Sequence, residues 1–144
     1  MGHRDLMESV ESMLDAWAPR VRSLLRIGAA LFFLQHGLAK FIGFPMALSA
    51  PLTPLFYVAG VIEVVGSLLL ILGLFARPAA FVMSGEMAVA YFMLRPAKSF
   101  YPLVNGGELE ALFCFVFFYL FVAGPGPWSL DGTILKRATD RQFA

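Results

Sequence analysis

Apolar residues in this chain fall into four long blocks, roughly residues 23–42, 54–75, 78–94 and 107–123. Each block is long enough to carry a helix across a hydrocarbon core of about 30 Å. The runs between them are rich in helix breakers. Residues 43–54 hold Pro45, Pro51 and Pro54, Arg77-Pro78 makes a tight turn, and RPAKSFYPLVNGG holds Pro96 and Pro102. Gly124-Pro125-Gly126-Pro127 ends the last block. Lipid requires each span to satisfy its own backbone, and short connections make successive spans antiparallel. The pattern predicts an all-α integral membrane protein, a four-transmembrane-helix up-down bundle.

Ahead of the first block, residues 5–18 place Leu6, Met7, Val10, Met13, Leu14 and Trp17 at helical spacing. Asp5 and Glu8 have the spacing of a capping box. This predicts a short amphipathic N-terminal helix at the membrane surface, with an acidic polar face and partner docking as its alternative use. The predicted organisation is a surface helix over 1–20, a transmembrane domain over 22–131 and a tail over 132–144. Arg4, Arg20, Arg22, Arg77, Lys136, Arg137 and Arg141 lie at one end of the bundle, against Lys40, Arg95 and Lys98 at the other. Basic residues favour the cytoplasmic side, so both termini are expected there.

Composition sharpens the class. Of the 144 residues, 59% are apolar and 15% charged, whereas soluble domains carry about a quarter charged. A net charge of +1, with no basic tract, gives no nucleic-acid footprint. The lone Cys114 forms neither an intrachain disulfide nor a CxxC pair, so dithiol chemistry would belong to a partner.

The candidate chemistry is the polar set inside the blocks. The first holds Arg26, Gln35, His36 and Lys40, the second Glu63, the third Glu86, and the fourth Glu108 and Glu110. A charged residue near a helix centre costs about 2.5–3.5 kcal/mol on insertion scales, so such groups face protein and often mark sites. At about 1.5 Å per residue, His36, Glu63, Glu86 and at least one fourth-block glutamate gather in the outer half. Arg26 enters from the inner half and is expected to reach toward Glu63 or Glu86. Lys40 is expected to snorkel to the interface. Gly60, Glu63 and Ser67 share a face with Gly66 beside them, and small residues let helices approach closely. Met83, Glu86, Ala90 and Met93 share another. Asn105 is placed to cap the fourth helix, with Glu108 completing a box.

Three uses fit this set. Glu63 and Glu86 in series suit a proton relay. An apolar slot with His36 and a glutamate suits the oxygens of a quinone. A metal site is disfavoured, because the Glu-x-x-His motif of di-iron bundles is missing and the blocks hold one histidine. The purely structural alternative is an Arg–Glu pair and interhelical hydrogen bonds that fix packing. Cys114 reads as a small apolar residue.

The ordered residues resemble the DoxX family of small bacterial membrane proteins, over roughly residues 22–131. The likeness is carried by Arg26 with His36-Gly37 and Lys40, by Gly60, Glu63 and Gly66 leading to Gly73-Leu74-Phe75 and Arg77-Pro78, and by Gly85-Glu86-Met87-Ala88-Val89-Ala90-Tyr91-Phe92. Asn105-Gly106-Gly107-Glu108 and Gly124-Pro125-Gly126-Pro127-Trp128-Ser129-Leu130-Asp131 complete it. Ser67 departs from a frequent glycine and Arg95 from a frequent histidine. The resemblance implies a four-span inner-membrane protein linked to sulfur or thiol redox metabolism and oxidative stress, and it favours Glu108 over Glu110. The expected function is a membrane redox component holding a quinone or similar molecule in an outer-half pocket. Catalytic roles fall to Glu63, Glu86 and Glu108, and binding to Arg26, His36, Asn105 and Glu110. Lipid surrounds the bundle, and soluble redox enzymes are the expected partners. The rival readings are a non-catalytic anchor for such enzymes and a small transporter. Four spans leave a transporter little room for alternating access, a limit that a homo-oligomer relaxes.

Overall fold

The computed structural model describes residues 2–48, 51, 53–95 and 99–134. Among them every regular element is a helix: α1 (His3–Ile42), α2 (Pro54–Leu72), α3 (Ala76–Leu94), α4 (Pro102–Asn105) and α5 (Glu108–Ala123). The expected all-helical architecture is present. By length and composition, α1 and α2 are able to cross a membrane. α3 carries Arg77 and Glu86 within its 19 residues, and α5 has 16 residues.

α1 is one helix of 40 residues. The N-terminal helix expected over 5–18 and the first span are therefore continuous. Pro19 lies inside α1 and does not end it. Residues 2–18 are exposed throughout, and the stripe Ser23, Arg26, Ala30, Phe33 and Gly37 is buried. Gly43, at φ 68°, stops the helix in the left-handed conformation that glycine adopts without strain.

α2 starts on Thr53, whose hydroxyl accepts from Phe56 N at 3.3 Å, with Pro54 in the first turn. It ends at Gly73 in a Schellman motif, Leu74 N donating to Leu69 O at 3.0 Å and Gly73 N to Leu70 O at 3.1 Å. α3 begins at Ala76, two residues before the proline expected to open it. Its first amides are held by the chain's far end: Asp131 accepts from Phe75 N at 3.0 Å and Ala76 N at 2.9 Å.

α1 packs on α2 and α3 on α5, and the α2–α3 contact joins the two hairpins. Small residues set the close approaches. A Cβ on Gly37 would lie 2.6 Å from Val64 Cγ2, and one on Gly66 2.6 Å from Met83 Sδ. The core between the hairpins is Phe33 with Phe113 and Phe117, ring centroids 5.1 and 5.0 Å away, plus Leu70, Ala80 and Met83. Large apolar side chains such as Phe32, Phe81, Phe92 and Phe115 face outward. Lipid is the solvent that suits so much exposed apolar surface.

Candidate functional site

Between the upper halves of the two hairpins lies a chamber of about 660 Å³. α1 supplies Gln35, His36 and Lys40, α2 Phe56 and Glu63, α3 Met87, Leu94 and Arg95, and α5 Glu110 and Phe113. The volume falls in the range of small-molecule sites. A recess of about 100 Å³ opens beside it, sharing Lys40, Glu63 and Ala90 and adding Glu86.

Two ion pairs sit in this space. Lys40 Nζ pairs with Glu63 Oε1, with side chains only 9% and 4% exposed. Lys40 therefore turns inward, where a snorkelling position was expected. Its ammonium also lies 5.9 Å from the Phe56 ring centroid, a cation–π distance. Arg95 Nε donates to Glu110 Oε1 at 3.1 Å, and its Nη2 bonds the same oxygen. Each hairpin thus joins a cation at the top of its rising helix to a carboxylate on its falling helix.

Several acceptors have no partner. Glu63 Oε2, Glu110 Oε2 and both carboxylate oxygens of Glu86 are buried without a hydrogen bond among the described residues. Buried polar atoms are nearly always paired, so such a set is an opening for donors. His36 meets Phe33 and Phe113 edge-on, at 5.9 and 6.3 Å between centroids. That contact fixes the imidazole by packing, and His36 lines the chamber.

The chamber gathers His36, Glu63 and Glu110, with Glu86 in the adjoining recess. Three sequence candidates lie elsewhere. Glu108 is exposed, two residues and about 200° around the helix from Glu110, which faces the chamber. Arg26 is fully buried but bonds backbone, donating to Leu70 O at 2.7 Å and also to Trp128 O. It locks α1 to the end of α2, and its reach does not extend to Glu63 or Glu86. Asn105 is buried and holds the turn before α5: Nδ2 donates to Ser99 O at 2.8 Å and Tyr91 OH at 3.2 Å, and Oδ1 accepts from Gly107 N at 2.7 Å. The residue at the cap position of α5 is Gly107. On α3 the buried stripe is Ala80, Met83, Met87 and Tyr91, and Met93 is exposed.

Lys40 and Arg95 line the chamber, although the sequence reading sent Lys40 to the interface and gave Arg95 no binding role. The available signal was position: Lys40 stands four residues after His36, on the same helix face. Among the described residues no three His, Cys, Asp or Glu side chains group as metal ligands.

The model of the DoxX family matches residues 21–96. An uncharacterised protein of Haemophilus influenzae is 46% identical over 131 residues, covering 86% of this chain and 98% of that protein. An uncharacterised membrane protein of Mycobacterium tuberculosis, Rv3486, is 29% identical over 150 residues, covering 88% of this chain and 89% of its own length. No solved structure matches the chain. The part of the chamber built by α1, α2 and α3 falls inside the matched stretch, and only the α5 wall lies beyond it.

Proposed function

The chain belongs to the DoxX family of membrane proteins, and on that premise we propose that its chamber binds a quinone or a similar small redox molecule. The observation that carries this reading is Glu86, a carboxyl group inside an apolar helix with neither oxygen bonded, beside the buried Lys40–Glu63 pair. A bound quinone supplies two-electron, two-proton chemistry. The chain's own groups match the polar ends of such a ligand. Gln35, His36 and the remaining hydrogens of Lys40 donate to a carbonyl oxygen. Glu86 and the free oxygen of Glu63 accept from a hydroxyl and pass its proton on. Met87, Leu94 and Phe113 wall the ring and exclude water.

In this reading Glu63 and Glu86 are the proton-handling groups, His36 is the donor at the mouth, and Glu110 with Arg95 closes the α5 side. Arg26 and Asn105 hold the scaffold. Four helices, α1, α2, α3 and α5, span a bacterial inner membrane with both termini in the cytoplasm. The arginines at one end, Arg20, Arg22 and Arg77, support that orientation. Lys98, Lys136, Arg137 and Arg141, used in the same argument, lie outside the described residues.

The test is purification from native membrane, extraction of bound small molecules and their identification by mass spectrometry. The expected result is a quinone in near-stoichiometric amount from the parent protein and loss of it in Glu86→Gln, with the helical content unchanged. Retention in the variant, or an empty parent protein, rejects the reading.

A second reading, an anchor for soluble redox enzymes, has one observation in its favour. The first half of α1 exposes Leu6, Val10, Met13, Leu14 and Trp17. This half is carried on the same continuous helix as the span, and its apolar side chains meet nothing within the fold. A docked protein is then the natural cover for its apolar face. Deleting residues 3–18 abolishes co-purification of soluble redox enzymes under the anchor reading and leaves chamber occupancy intact.

A further inference from the structure

At the opposite end of the bundle from the chamber, a second cavity of about 590 Å³ lies between the ends of α5 and α3. We propose that it seats the phosphate headgroup of an anionic phospholipid between Arg22 and Arg77.

Charge balance is the first support. Arg22 Nη1 donates to Ala123 O at 2.8 Å, and Arg77 Nη1 donates to Phe121 O at 2.8 Å and Val122 O at 2.7 Å. Both guanidiniums therefore converge on the C-terminus of α5, which offers only about half a negative charge. Among the described residues neither arginine forms an ion pair with a carboxylate. Asp131, which accepts from the amides of Phe75 and Ala76, brings one negative charge to the same cavity, and with the α5 terminus it still falls short of the two guanidiniums. Positive charge is left in excess.

Open donors are the second support. Arg77 is exposed and makes both of its hydrogen bonds through Nη1, so its Nε and Nη2 have no acceptor among the described residues. Planar guanidinium forks match phosphate oxygens, so the vacant edge suits that ligand. The loop leaves room for it. Gly124 stands at φ 83°, and a Cβ there would lie 2.9 Å from Arg77 Nη2. Glycine keeps that guanidinium clear on the cavity side.

The rim selects a lipid over a soluble anion. Phe75 and Ile134 border the cavity and are 64% and 56% exposed. They offer apolar surface to acyl chains at the level where the helices end, which is where phosphates lie. Basic pockets between helix ends on the cytoplasmic side are a recurrent solution for anionic headgroups.

The experiment places the full chain in phosphatidylcholine nanodiscs, titrates phosphatidylglycerol, and counts retained lipids by native mass spectrometry. One tightly held phosphatidylglycerol per chain is expected, favoured about tenfold or more over phosphatidylcholine. The double variant Arg22→Gln/Arg77→Gln is expected to lose about fivefold per arginine. Equal retention of both lipids by the parent protein overturns the proposal, and this arm holds even if the variant fails to fold. Unchanged retention in a folded variant also overturns it. Displacement of the phosphatidylglycerol by millimolar inorganic phosphate identifies a soluble-anion site and overturns the lipid assignment.

Discussion

Lys40 and Glu63 show how a costly pair can be kept inside a membrane helix bundle. Each is nearly sealed from solvent, so removing one partner strands the other. Lys40→Met alone is expected to lower stability by about 3–5 kcal/mol. Lys40→Met with Glu63→Leu is expected to recover most of that loss and still fail to bind the chamber ligand. Thermal melting in detergent with parallel ligand titration checks both halves. Glu86→Gln makes a contrasting case: with no hydrogen bond to break, it should melt like the parent. At this scale the sequence was partly readable. His36, Glu63, Glu86 and Glu110 stand out because polar groups in apolar blocks need a reason. Lys40 did not, because a cation at a span's end can point to headgroups or inward, and the partner helix decides. Arg26 was misjudged in the opposite direction. Its partners are the carbonyls of Leu70 and Trp128, and backbone acceptors leave no mark in a residue string.

Elements here are closed by local rules and by remote ones. The caps of α2, Thr53 and Gly73, are local, while the apolar pattern carried the span on to residue 75 because Leu74 and Phe75 past the glycine are apolar too. Asp131 capping α3 was not legible, because it comes from 55 positions away. The continuity of α1 was also hidden, since Pro19 reads as a boundary when the tertiary frame is unknown. Two tests belong to this scale. Gly73 stands at φ 67°, and a Cβ there would lie 2.1 Å from Arg26 Nη1. Gly73→Ala is expected to cost about 1–3 kcal/mol from backbone strain alone, more with the clash, read as a lower melting temperature. Deleting residues 3–18 removes only exposed helix and should leave the melting temperature of the bundle unchanged.

The whole molecule is two helical hairpins joined across Phe33, Phe113 and Phe117, with cation–carboxylate pairs at the chamber end and arginines on helix C-termini at the other. The blocks of apolar sequence made this architecture legible, while the chamber needed packing to appear, because its volume is a property of the gap between hairpins. Orientation follows from accessibility. In a Cys114→Ser background, Glu8→Cys and Leu103→Cys should react with an impermeant thiol reagent from opposite faces, Leu103→Cys from outside. Labelling of both from one face contradicts the alternating topology. The central claim is that Glu86 and the Lys40–Glu63 pair address a bound small molecule. Its most direct test is an experimental structure of the protein taken from native membrane with its small molecules retained. The account predicts flat density in the chamber, within hydrogen-bond distance of Glu86 or Glu63 Oε2. A chamber filled by side chains, with the Glu86 carboxyl bonded to the protein itself, would contradict it.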